Sequence, residues 1–239
     1  MTALTLEPQS SFAADAAAGW MGLIGIVFFG IGFWSLMAFV PPPSPGAEAT
    51  EVASTYLANA MGIRMGAVFA LLGTTLIIPL FAAISAAILR MSTRSYTLAF
   101  TQLASSLIAL ALPLIVIILY AAIVFRPDRA VEDIYLLHDF AWLMLVAVAP
   151  PPALQAVIIG WAILTDKSEP LVFPRWLGFF SLWVGILLLP GMFAMFFKTG
   201  PFAWDGILAF WLPFGIFFAW LGLMAWKVIS LAGDSRVGH

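Results

Sequence analysis

Few side chains in this sequence suit chemistry, and most of those that do gather in two stretches. The first holds Glu132, Asp133, Tyr135, His138 and Asp139. Histidine titrates near neutrality, and a neighbouring carboxylate suits general acid–base work or weak metal ligation. If a helix starts near Ala130, Tyr135 and Asp139 share a face at i, i+4, whereas His138 and Asp139 diverge by about 100°. Acidic residues at that place are also favoured by the helix dipole alone. His138 and Asp139 fall short of a metal-binding set, so neither a metal nor a cofactor is expected. The second stretch runs from Phe196 to Gly206 and contains Lys198, Gly200, Pro201, Trp204 and Asp205. Gly200-Pro201 reads as a tight turn, and Asp205 as a cap or charge at the start of the following helix. Arg64, ahead of a long apolar run, is expected on the same side, giving a polar lid over one end of the molecule.

A third candidate is a backbone feature. Pro150, Pro151 and Pro152 follow one another inside an apolar run. Each proline lacks an N–H, so the carbonyls of Val146, Ala147 and Val148 lose their helical partners. Gln155, one turn on, brings a polar side chain to the break. Discontinuous helices of this kind build binding sites in many transporters. The expected ligand-binding residues are therefore Pro150, Pro151, Pro152, Gln155, Tyr135, Asp139, Lys198, Trp204, Asp205 and Arg64, and an enzyme would rest on His138 and Asp139.

The elements that must position these residues follow from composition. Of 239 residues, 63% are hydrophobic and 9% charged, against about 25% charged in ordinary soluble domains. The mean hydropathy is +1.07. Apolar runs about 20 residues long span a hydrocarbon core as helices. Six are expected, near 19–40, 65–89, 97–125, 140–165, 176–197 and 206–229, giving an all-α, polytopic integral membrane protein. Residues 1–18 and 233–239 are expected as cytoplasmic tails flanking one six-helix domain. Trp20, Trp142, Trp176, Trp204 and Trp226 fall near span borders, where indole rings favour the interface.

Orientation follows the distribution of Lys and Arg. With the N-terminus inside, Arg90, Arg94, Lys167, Arg175, Lys227 and Arg236 fall on the cytoplasmic face, and Arg64, Arg126, Arg129 and Lys198 outside. The loop 41–63 is acidic, lacks Lys and Arg, and suits translocation. Both termini are expected in the cytoplasm, with the protein in a plasma membrane. No basic n-region precedes the first run, so that run is expected to remain as a helix and not act as a signal peptide.

Five runs carry proline: Pro79, Pro113, Pro150–Pro152, Pro190 and Pro213. Arg64 and Arg175 each precede a proline by the same interval, and Phe69, Leu71 and Leu76 correspond to Phe180, Leu182 and Leu187, a faint sign of an inverted repeat of three spans. Gly19, Gly22, Gly25, Gly30 and Gly32 give the first run small faces for close helix packing, within the chain, in a homo-oligomer or in a membrane complex.

No charged residue or histidine falls at the centre of a run. Proton-coupled carriage and retinal binding call for a charged residue there, and haem ligation for a facing pair of histidines; His138 has only His239 for company. Thr74, Thr75, Ser105, Ser106, Gln155 and Ser181 are the mid-run polar groups. The net charge of −2 excludes a basic nucleic-acid binder. The absence of cysteine excludes thiolate chemistry. The reading that follows is a helix bundle binding or passing a neutral lipophilic small molecule, with an accessory subunit of a membrane complex, or a membrane enzyme, as alternatives.

Overall fold

A computed structural model describes residues 8–237, all-helical with no strand among them. Nine α-helices follow in order: α1 (Pro8–Gly30), α2 (Ala49–Ala58), α3 (Ala60–Leu76), α4 (Ile78–Arg90), α5 (Tyr96–Ile123), α6 (Val131–Ala147), α7 (Pro150–Thr165), α8 (Arg175–Leu188) and α9 (Leu212–Val237). Six helical stretches are long and apolar enough to cross a membrane: Ala13–Leu36, Ala60–Arg90, Tyr96–Ile123, Val131–Thr165, Arg175–Met195 and Ile207–Leu231. The number matches the expectation, but several bounds move. The first helix starts at Pro8, inside the expected tail, and its last helical turns end at Leu36, so 37–40 leave the span. The fourth starts at Val131, which brings the His138 cluster into the helix. Residues 1–7, 238 and 239, the ends of the expected tails, lie outside the described residues.

The spans run antiparallel in sequence order and close into a ring. α1 packs on α3, α4 and α9, α5 on α3, α4, α6 and α7, and α8 on α7 and α9. Small residues set the closest approaches. A Cβ on Gly25 would lie 2.6 Å from the Gly73 carbonyl, and one on Gly32 2.5 Å from that of Gly66. Gly19 meets Ile229 of α9, so the starts and ends of the chain's outermost spans lie at one end. The glycine face of the first span is thus packed within the chain, apart from Gly30, which has open space beside it.

The prolines divide unequally. Pro79 sits at the α3–α4 junction, the triple proline begins α7, and Pro190 opens a 3-10 segment, Leu189–Met195. Pro213 follows a π-helical segment, Ile207–Trp211. Pro113 alone lies inside a continuous helix, α5. A further π segment, Ile31–Leu36, ends the first span.

Two hydrophobic cores result. Near the termini, Leu80, Ile84, Ile88, Ile159, Ile163 and Val184 pack with Trp220. Towards the other end, Phe33, Phe39, Tyr56, Tyr120, Trp142 and Phe210 form an aromatic core. The expected acidic loop contains α2, which buries Val52, Ala53 and Tyr56 over that aromatic end. At the termini end Asp166 ties two loops together. Its carboxylate accepts from the backbone N–H of Ser92 at 3.0 Å, Ser168 at 3.0 Å and Val172 at 3.2 Å, and from the Ser168 hydroxyl at 2.6 Å. Burial alone would raise this carboxyl, but those donors hold it at about 2.

Candidate functional site

The interrupted segments converge. α6 ends at Ala147 and α7 begins at Pro150, so Val148 and Ala149 leave the helix. The 3-10 segment after α8 seats against this gap. A Cβ on Gly191 would lie 2.6 Å from the Val146 carbonyl, the oxygen whose helical partner Pro150 removes, so glycine is required for that contact. Beside the gap lies a partly open cavity of about 150 Å³. Every long span reaches it, through Phe29, Thr74, Pro113, Pro152, Leu188 and Pro213 among others. Thr74 supplies its single polar side chain, and that hydroxyl donates to the Ala70 carbonyl of its own helix at 2.8 Å. A closed apolar cavity of this volume accepts a benzene-sized guest, which sets the scale of the space.

One turn of α6 before Val146 stands Trp142, which opens the aromatic chamber. Its indole contacts Phe210, a cavity-lining ring, at 6.2 Å between centroids, and Phe33, Phe39, Tyr120 and His138 on its other sides. His138, only 1% exposed, shares a 3.0 Å hydrogen bond between Nδ1 and the Tyr56 hydroxyl of α2. Burial pushes the Tyr56 phenol above its ordinary titration range and keeps it neutral. Trp204 lies against His138 at 5.6 Å and donates its indole N–H to the Pro43 carbonyl at 2.8 Å. Tyr135 stacks near His138 and donates to the Ala47 carbonyl at 3.3 Å. These two bonds fasten the strap between the first span and α2 across the chamber.

In this cluster His138 Nε2 and the Tyr120 hydroxyl have no protein partner, and both residues are at most 1% exposed. The Trp142 indole N–H approaches the Tyr56 hydroxyl. A buried polar group left unpaired costs about 1–3 kcal/mol.

The sequence-predicted residues separate accordingly. Pro152 lines the cavity, while Pro150 is exposed and Pro151 half-buried. Gln155 is fully buried behind the break, outside the cavity lining, with both amide atoms unpartnered. Trp204 and Tyr135 join His138. Asp139 does not join them: no hydrogen bond links it to His138 among the described residues. Lys198 itself is exposed. Asp205 does not cap the last span: Gly206 holds that place with no side-chain bond, and the Pro201 carbonyl receives the Leu208 N–H at 2.9 Å. Burial raises the Asp205 carboxyl above its ordinary value. Arg64 serves the end of α5, donating to the Val124 carbonyl at 2.6 Å, where a cation suits the helix dipole. Trp142 and Trp204, expected as interfacial anchors, are buried, whereas Trp20, Trp176 and Trp226 are exposed. No group of three or more His, Asp and Glu is placed to hold a metal among the described residues.

Sequence reasoning missed Tyr56, Tyr120 and Phe39, since nothing local marks a partner 82 residues from His138. Compared with known family models, curated proteins and solved structures, the chain matches none.

Proposed function

We propose that this chain is an integral membrane protein, with both termini cytoplasmic in a plasma membrane, that binds or passes a neutral lipophilic small molecule through its helix bundle. The observation that carries the reading is the cavity itself: apolar, reached by all six long spans, and set where the triple proline interrupts the fourth. A charged ligand would find no fixed charge in its lining, whereas an apolar one replaces absent packing. The exposed rings of Trp20, Trp34, Trp161, Trp176, Trp183 and Trp226 suit a lipid surround. Among the polar mid-span groups, Thr74, Thr75, Ser106 and Ser181 bond to carbonyls of their own helices, which engages their hydroxyl protons within the bundle's own backbone.

A benzene-sized aryl diazirine tests this in lipid nanodiscs. Photolabelling is expected at 144–152 and 209–221 and is expected to disappear in Ala149→Phe, where the added ring occupies the cavity. Labelling confined to outward-facing positions and unchanged in Ala149→Phe would overturn the reading.

A further inference from the structure

The lining of the cavity is not equally covered on all sides. The residues it takes from the first, second and fifth long spans, Phe29, Thr74, Ile77 and Leu188, are buried. On α9, Phe214 and Phe218 rest on Phe33 and Phe29 of the first span, at 6.1 and 5.3 Å between ring centroids, which covers that side. Most of the half-buried lining comes instead from two neighbouring elements, α5 and the α6–α7 break. Leu112 lines the cavity, while Ile108 and Ile115, one turn to either side of it on α5, are exposed. Met144 lines it too, while Phe140, one turn earlier on α6, is exposed and Val148, one turn later, is half-buried. Leu112 and Met144 therefore stand where the inner face of each helix passes into its outer face, and α5 and α6 pack side by side.

Depth decides what such an edge meets. By helical rise Leu112 lies about 24 Å from Tyr96 and about 17 Å from Ile123, the two ends of α5. The fourth span runs from Val131 to Thr165, and Val148 is at its middle. No polar or charged side chain occurs in 107–119 or 143–154, so nothing there draws water. Pro113 deprives the Ala109 carbonyl of its helical N–H, as Pro152 does for Val148, so both edges lack a backbone rung at this level.

We infer that the cavity opens sideways between α5 and the α6–α7 break, with Leu112, Met144 and Val148 as its lips, and that its occupant is the methyl end of an acyl chain from the surrounding lipid. This rests on the reading of the cavity as a lipophile site in a membrane and names the ligand class: a free lipophile enters by displacing a lipid chain. The chain gains little from the hydrophobic effect, since it exchanges one apolar medium for another. It gains the dispersion contacts that the lining otherwise lacks. Weak affinity is enough, because at mid-depth lipid chains are the solvent. The headgroup stays at the interface, about 15 Å from the midplane, so only carbons far from it reach the lips.

The test uses phosphatidylcholines carrying a diazirine either at the methyl end or beside the ester of one acyl chain, in nanodiscs, alongside the free aryl diazirine. The methyl-end lipid is expected to label Phe210 and Leu221, which line the cavity and are buried from outside, and the ester-end lipid is not. Leu112→Trp is expected to lower methyl-end labelling of these two residues about tenfold, because a chain must stay threaded between the lips. The free probe fits wholly inside and is expected to label that variant as it labels wild type, which also shows that the variant folds. Met144→Trp, on the opposite lip, carries the same expectation, and the wild-type comparison of the two lipids stands even where neither variant folds. Free-probe labelling of Phe210 and Leu221 without methyl-end labelling would overturn this inference and leave the cavity reading in place. Equal labelling by the two lipids, or methyl-end labelling unchanged in Leu112→Trp, would overturn it as well. If neither the free probe nor the methyl-end lipid reaches these residues, both readings fail.

Discussion

The end of the bundle that carries the termini and the end that carries α2 are built from the same six spans by different means. Near the termini the helices are regular, their core is mostly aliphatic around Phe81, Phe173 and Trp220, and residues such as Ala83, Ala87, Ala156 and Ala162 allow close approach. Most polar groups there are answered: Ser181 receives the Trp220 indole N–H at 2.9 Å, and Asp166 takes four donors. The Gln102 NH2 group and both amide atoms of Gln155 are the exceptions. At the α2 end two spans turn π-helical and one becomes 3-10, and large rings fill the space. Rings of this size meet edge-to-face or offset, whereas the aliphatic side chains interdigitate between close helices. The cavity lies at the boundary between the two ends, and the proposed lipophile site would draw its support from the termini end.

The largest effect separates those roles. Trp142→Ala removes a fully buried ring that touches the cavity-lining Phe210, and Phe81→Ala removes one from the core near the termini. Each is expected to cost about 3–5 kcal/mol, read by unfolding in mixed micelles. Only Trp142→Ala is expected also to change label occupancy, in protein that remains folded. If Phe81→Ala altered labelling equally, the division into a supporting and a binding end would not stand.

A smaller effect concerns the support itself. Asp166→Ala leaves the N–H groups of Ser92, Ser168 and Val172 without their acceptor and is expected to cost about 2–3 kcal/mol. Because the folded carboxyl sits at about 2, below its ordinary 3.8, its contribution is complete above pH 4 and declines as pH falls from about 4 to about 2. Thermal unfolding followed across that window is expected to show the decline in wild type and to show it flattened in Asp166→Asn. An equal slope in both proteins would place the acid sensitivity elsewhere.

How much of this was legible in the sequence follows the same division. Run length and the confinement of charge to run ends were enough to give six spans, because each must satisfy its backbone within itself. The triple proline announced its break for the same local reason; Pro79 also falls at the junction of two α-helices, and Pro190 and Pro213 at changes of helix type. Pro113 does not interrupt α5, because the helix continues past the missing bond; a tertiary context, not the residue, decides which prolines break. The aromatic chamber was half legible. His138, Tyr135 and Trp204 were picked out by type, but their partners arrive from α2 and α5 by long-range packing. α2 was read as a loop because its polar residues hide a short apolar stripe; Val52, Ala53 and Tyr56 at i, i+1 and i+4 were the available signal. Trp142 was read as an interfacial anchor because span-border position looks alike for an inward and an outward ring.

The smallest effect probes how the two ends respond to the loss of one hydrogen bond. Tyr56→Phe removes the oxygen that holds His138 Nδ1, and Ser181→Ala removes the acceptor of the Trp220 N–H. Each is expected to cost about 1 kcal/mol. In hydrogen exchange the consequences diverge. At Ser181 the neighbouring regular helices of the aliphatic core constrain opening, so α8 and α9 are expected to exchange nearly as in wild type. At Tyr56 the bond joins a short helix outside the six long spans to the bundle, and its loss is expected to speed exchange across Ala49–Ala58 by about fivefold. Equal responses at the two sites would mean that the α2 end is as firmly packed as the termini end.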